Sequence, residues 1–254
     1  TMIAHTRTWR RVLLTLGLIL SGPTLQAQDN GEWPYFGGSA AFARYSPLTQ
    51  INSQNIRELR ITWRRPAIDA SLTSAFPALR TTNYLRSTPI MVGGILYASN
   101  AVGLVEAFDP ATGDTLWVQR PSSPTLAAVA GRPAHGVAFW TDGEHSRILA
   151  VRNTNLYALD ARTGLPITGF GTAGRVDLIP PGGQSATGGA SPIVIGDVVV
   201  IGGTVDGAGD SGTKWKNSVP EDIRGYDVRT GELRWTFHVV PKTGEFGADT
   251  WGAG

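Results

Sequence analysis

The sequence predicts an all-β chain built from repeated four-stranded antiparallel units, the pattern of a β-propeller. Three observations carry that prediction. A five-residue turn occurs three times, as Asp109-Pro110-Ala111-Thr112-Gly113, Asp160-Ala161-Arg162-Thr163-Gly164 and Asp227-Val228-Arg229-Thr230-Gly231. A short apolar or aromatic strand pattern precedes each copy, and further strands come after it. The composition, with 32 Gly and 16 Pro against 17% charged residues, suits many short strands joined by tight turns.

The turn has a readable chemistry. An Asp side chain accepts hydrogen bonds from amides two and three residues on, and the Gly takes the positive φ that closes a type I turn with a bulge. The Thr hydroxyl adds a second cap. One such turn is a common hairpin; three in register indicate repetition.

In chain order, the first segment reads as a targeting peptide over 1–27. Arg7, Arg10 and Arg11 precede an apolar run at 12–20, and Leu25-Gln26-Ala27 offers a cleavage site. The run is shorter than the roughly 20 residues that span a bilayer. Paired Arg10-Arg11 leaves twin-arginine and general export both open. The mature domain then covers 28–254. Asn52 or Ser53 is placed to cap a short helix through Leu59, and 60–64 reads as a strand carrying Trp63.

The first repeat unit is expected as strands at 89–92, 95–99, 105–108 and 115–118, with Gly93-Gly94 as the first turn. The second is expected at 136–140, 147–151 and 155–159, with a weaker strand after Gly164. The third is expected at 192–195, 198–201, 223–226 and 233–238, its extra length lying in an insertion at 203–222. Trp117 and Trp235 each stand four residues past a turn Gly, where a large ring fits between neighbouring units; Thr168 holds that place in the second unit, so its packing must differ. Three units are too few for a ring of about 4 to 8 blades. With Thr1 ahead of Met2 and no closing element at Gly254, both ends read as cuts in a longer frame.

Several function classes find no support. The net charge is +2 with no Lys/Arg cluster beyond the first dozen residues, which argues against nucleic-acid binding. Cys is absent, so thiolate chemistry, disulfides and a lipid-bearing cysteine are excluded. The stretch 207–212 fits G-x-G-x-x-G, but residues 213–220 lack the apolar period of the helix that a phosphate loop needs. The four His show no metal-ligand spacing.

Further motifs carry a family resemblance. Trp33-Pro34-Tyr35-Phe36-Gly37-Gly38 is followed by Arg44-Tyr45-Ser46-Pro47-Leu48 and Gln50-Ile51-Asn52. Ser87-Thr88-Pro89, Gly136-Val137-Ala138-Phe139-Trp140, Ile223-Arg224-Gly225-Tyr226-Asp227 and Gly244-Glu245-Phe246-Gly247 running into Asp249-Thr250-Trp251 come after them in order. In this the chain resembles the periplasmic dehydrogenases that depend on pyrroloquinoline quinone (PQQ), which are eight-bladed quinoprotein propellers; about three four-stranded blades would be present here.

The resemblance implies roles. Trp251 would be the aromatic floor under the planar quinone, although the residue alone also fits an inter-blade position. Gly203 and Thr204 would approach the cofactor edge, and Asp206 would give a carboxylate to Ca²⁺, a cation that takes oxygen ligands; a solvated loop Asp is the alternative. Relatives usually carry Arg before Gly-Val-Ala-Tyr-Trp, paired with a PQQ carboxylate, whereas this chain has His135. A neutral imidazole gives one hydrogen bond in place of a bidentate charged pair. Arg86 stands where methanol-oxidising members carry an acidic contact, and it would return positive charge.

The reaction implied is oxidation of an alcohol or aldose by hydride transfer to PQQ, with Ca²⁺ as Lewis acid and electrons passed to cytochrome c or ubiquinone. Lacking the adjacent cysteines of many alcohol-oxidising members, the chain sits closer to the sugar-oxidising or uncharacterised branch. The catalytic base is expected in a later blade, beyond residue 254, so no catalytic residue is expected here. A non-enzymatic propeller serving as a protein-binding scaffold in the envelope shares the turn repeats and is the alternative.

Overall fold

The structure is a computed structural model and describes residues 31–81, 85–121, 123–131, 135–179, 191–202 and 222–251. The expected signal peptide, 1–27, lies outside the described residues. Three four-stranded antiparallel meanders form in chain order. Blade 1 contains β1 (Ile90–Val92), β2 (Ile95–Ser99), β3 (Val105–Phe108) and β4 (Thr115–Val118). Blade 2 contains β5 (Ala138–Thr141), β6 (Ser146–Arg152), β7 (Asn155–Asp160) and β8 (Arg175–Asp177). Blade 3 contains β9 (Ile193–Ile195), β10 (Val198–Ile201), β11 (Ile223–Asp227) and β12 (Leu233–Phe237).

The three repeated turns take the geometry their chemistry requires. Asp109 Oδ1 accepts from the amides of Ala111 and Thr112 at 2.7 and 3.0 Å. Asp160 does the same for Arg162 and Thr163 at 3.1 and 2.9 Å, and Asp227 for Arg229 and Thr230 at 2.8 and 2.7 Å. Gly113, Gly164 and Gly231 close the turns at φ +77°, +69° and +77°, and each amide donates to the carbonyl of its Asp. At Gly93-Gly94, φ of +59° and +74° matches a two-residue hairpin whose central residues are both left-handed. The Glu32 carboxylate accepts from both amides, at 2.9 and 3.2 Å.

The core lies between blades. Along β6, Ile148 and Ala150 join Ile90, Tyr97, Val105 and Ala107 of blade 1, while Leu149 and Val151 join Val194, Val199, Ile201 and Tyr226 of blade 3. Successive strand residues point to opposite faces. The unbroken run Ile148-Leu149-Ala150-Val151 is therefore what a middle blade, covered on both sides, demands. A third cluster of Ile68, Leu79, Val102, Leu104 and Val129 lies under α1 (Ala70–Ala75) and α2 (Leu126–Val129). Their caps, Asp69 and Thr125, were not anticipated from sequence. Buried Arg152 donates to the carbonyls of Val102, Ala128 and Val129, tying this cluster to blade 2.

Tryptophans fasten one unit to the next. The Trp117 indole N–H donates to the Ala161 carbonyl at 3.0 Å, and its ring covers Gly164, where a Cβ would lie 2.4 Å away. Trp63 repeats this on blade 1, donating to the Pro110 carbonyl at 2.9 Å and covering Gly113. Beside it Arg65 pairs with buried Glu106 at 2.5 Å and lies over the Phe108 ring. Gly231 is covered instead by Val176 and Phe170, which is how the unit with Thr168 in the Trp place differs.

The weaker strand expected after Gly164 is β8, which begins at Arg175 because residues 166–174 turn back on themselves through bridges at Pro166 and Gly171. Three expectations need correction. Residues 60–64 form no strand; Trp63 is held by its ring and indole N–H instead. The helix before Leu59 is a single 3-10 turn, Ile56–Glu58, without a side-chain cap. Trp235 folds against Gly225 of its own blade and is 41% exposed. Among the described residues no helix is long and apolar enough to cross a membrane.

Candidate functional site

The segments leading into the first strand of each blade meet. The Thr88 amide donates to the His135 carbonyl at 2.8 Å, and Thr88 forms a parallel bridge with Gly136, joining the lead of β1 to that of β5. A Cβ on Gly136 would lie 2.8 Å from the Phe36 ring and 3.1 Å from Ser191 Oγ, which brings the lead of β9 to the same place. Glycine is the residue that this approach allows. The sharp starts stem from the sequence: Pro89 and Pro192 remove a donor just before β1 and β9 and favour extended backbone in the residue ahead.

The side-chain chemistry at these leads suits a polar, anionic ligand. Arg86 is exposed two residues before Thr88, and His135 is half-buried immediately before Gly136. Ser191 Oγ is buried and has no hydrogen-bond partner among the described residues. A buried unpaired hydroxyl costs about 1–3 kcal/mol, so a polar partner at this position would be favourable. Sequence reasoning missed Ser191. The signal was there: Ser191-Pro192 repeats Thr88-Pro89 at the same point of another blade.

Trp251 stands in the loop after blade 3. It comes after a 3-10 turn at Ala248–Thr250, is 57% exposed, and walls a cavity of about 400 Å³ with Phe237, His238, Glu245 and Phe246. None of the cavity's lining residues comes from the strand leads. Glu245 folds the intervening loop. Its Oε2 accepts from the Lys242 amide at 2.8 Å, and its Oε1 is 2.7 Å from His238 Nδ1. The Lys242 amide first, and then His238, hold the Glu245 carboxyl below its ordinary pKa. Gly203, Thr204 and Asp206 lie outside the described residues. Among the described residues no three His, Cys, Asp or Glu side chains are grouped to hold a metal ion.

The profile of the PQQ glucose/ethanol/alcohol dehydrogenase β-propeller domain matches residues 33–253. Quinoprotein glucose dehydrogenase A of Acinetobacter calcoaceticus is 34% identical over 233 residues, covering 81% of this chain and 28% of its own length. The glycerol dehydrogenase large subunit of Gluconobacter oxydans is 32% identical over 225 residues, with 83% and 29% covered. Among solved structures, the quinohemoprotein alcohol dehydrogenase of Comamonas testosteroni superposes with a TM-score of 0.62 at 26% identity, covering 85% of this chain and 28% of that one. The chain thus spans less than a third of the length of these relatives.

Proposed function

The chain belongs to the PQQ glucose/ethanol/alcohol dehydrogenase β-propeller family, and from that premise we propose that it is part of a periplasmic, PQQ- and Ca²⁺-dependent dehydrogenase that oxidises an alcohol or an aldose. The observation that carries the proposal is the meeting of the three strand leads within the matched region, with an orphaned Ser191 hydroxyl at their junction. PQQ when bound would supply a two-electron quinone acceptor, with Ca²⁺ as the electrophile beside it.

The chain's own residues hold and orient. Arg86 supplies positive charge for the carboxylates of the quinone, a task that a guanidinium performs with paired donors. His135 contributes one N–H there, and Ser191 gains the partner it lacks. The Trp251 indole offers a flat apolar face for a planar tricyclic ring. Gly203 and Thr204 would line the cofactor edge, and Asp206 would give one carboxylate to Ca²⁺. We assign no base to this chain. Residues 1–27 would direct export, and cytochrome c or ubiquinone would be the electron acceptor of the whole protein.

Dye-linked oxidation tests the reading. With PQQ and Ca²⁺ supplied, the full-length protein that contains this chain is expected to reduce an artificial electron acceptor with a subset of alcohols and aldoses and to lose that activity when PQQ is withheld. A protein that shows neither turnover nor any PQQ-dependent change in absorbance or melting temperature would instead be an envelope scaffold.

A further inference from the structure

His238 is the residue between the last strand of blade 3 and the loop that ends at Trp251. Its side chain is only 18% exposed, although Phe237 and Val239 on either side are exposed. Nδ1 is 2.7 Å from Glu245 Oε1, and Nε2 is 3.8 Å from Asp222 Oδ2, on the residue that precedes β11. Glu245 in turn accepts from the Lys242 amide, and its own backbone continues the fold: its amide donates to the Lys242 carbonyl, and its carbonyl accepts from the Ala248 amide. Ala248 begins the turn that presents Trp251, whose amide donates back to the Ala248 carbonyl.

One imidazole therefore stands at the root of an unbroken set of bonds reaching the Trp251 backbone. Apolar burial contributes little to holding this loop, since Phe246, Trp251 and Val240 are exposed. A loop without a buried anchor is fixed by its polar contacts or not at all. The carboxylate of Glu245 has only acceptors to offer, so the short contact requires hydrogen on Nδ1.

We propose that His238, through Glu245, is a positioning residue that sets the place of the Trp251 indole for cofactor binding. This rests on the reading of Trp251 as the floor of the PQQ site. His238 touches no reacting atom and takes no part in the chemistry. It determines whether the ring is already in place when the quinone arrives, and pre-arranged groups bind more tightly because less motion is lost on binding.

The two ring nitrogens allow a discriminating test. The amide nitrogen of Asn takes the position of Nδ1 and preserves the bond to Glu245; that of Gln reaches toward the Nε2 position and loses it. PQQ is titrated by tryptophan-fluorescence quenching against wild type, His238→Asn, His238→Gln and Glu245→Ala, each at full chain length. Amide exchange of residues 242–251 and the melting temperature are measured in parallel. His238→Gln and Glu245→Ala are expected to weaken PQQ binding about tenfold, the loss of one charge-assisted hydrogen bond. They should also speed exchange at Ala248 and Trp251 while leaving the melting temperature close to wild type. His238→Asn should retain affinity within about threefold.

Equal PQQ affinity in all four proteins would overturn the proposal. So would an equal loss in the Asn and Gln variants, which would mean that burial of the ring matters and its Nδ1 bond does not. A wild-type protein that fails to bind PQQ would fell the functional reading itself, and the positioning role would fall with it.

Discussion

Asp227 differs from the other two turn aspartates in having a charged partner. Arg234 pairs with its buried carboxylate, whereas the corresponding residues of the other units are Leu116 and Ile167. Burial pushes the Asp227 carboxyl up, but Arg234 and the amides of Thr230 and Arg229 outweigh it and lower the pKa to about 2. A carboxyl with a lowered folded-state pKa stabilises the fold above its unfolded value near 3.8, and that stabilisation is lost as pH falls through 2. Asp227→Asn is therefore expected to cost on the order of 2 kcal/mol at pH 7. The cost should shrink toward zero below pH 2, as read by denaturant unfolding across that range. His135 carries a second prediction at this scale. Replacing it with Arg restores a bidentate partner for a carboxylate, and His135→Arg should tighten PQQ binding about tenfold by fluorescence titration. Turn chemistry was legible in the sequence because every bond of the turn joins residues within five positions. Ser191 and His238 were not, because a buried hydroxyl and a histidine between two carboxylates acquire meaning only when segments distant in the chain, or a loop and a strand, are brought together.

At the scale of elements, the blades are coupled by what each fourth strand places on the next turn. The Trp117 ring over Gly164 combines apolar contact with one hydrogen bond, and neither survives truncation. Trp117→Ala should destabilise by about 3 kcal/mol and Trp117→Phe by about 1–2 kcal/mol, since the smaller ring keeps the contact but cannot donate. Gly164→Ala offends twice, by its φ of +69° and by a Cβ 2.4 Å from the indole, and should cost at least as much as Trp117→Phe. Thermal melts of the three variants rank these effects. The sequence located eleven of the twelve strands to within two residues at either end, since apolar runs bounded by Gly and Pro mark them well. The twelfth, β8, was expected after Gly164 without bounds, because residues 166–174 fold locally before the strand begins and no run of apolar residues announces that detour. The 60–64 segment has no strand partner among the described residues; Trp63 is seated on blade 1 through its indole N–H, while Ile61 is exposed.

For the molecule as a whole, repetition and chemistry sit in different places. The Asp-x-x-Thr-Gly turns and the inter-blade core fix where each blade stands, and a scaffold has the same use for them as an enzyme. The family motifs lie between the turns, among them 87–89, 136–140 and the loop ending at Trp251, and the family profile matches the chain over 33–253 as a whole. The central claim is that these blades present an aromatic and cationic surface to PQQ. Titrating wild type and Trp251→Ala with PQQ in the presence of Ca²⁺, monitored by absorbance of the bound quinone, tests it most directly. Saturable binding by wild type, weakened tenfold or more in Trp251→Ala, is the outcome expected for loss of a stacking face of about 1–3 kcal/mol. Identical affinity in the two proteins, or no binding to either, would contradict it.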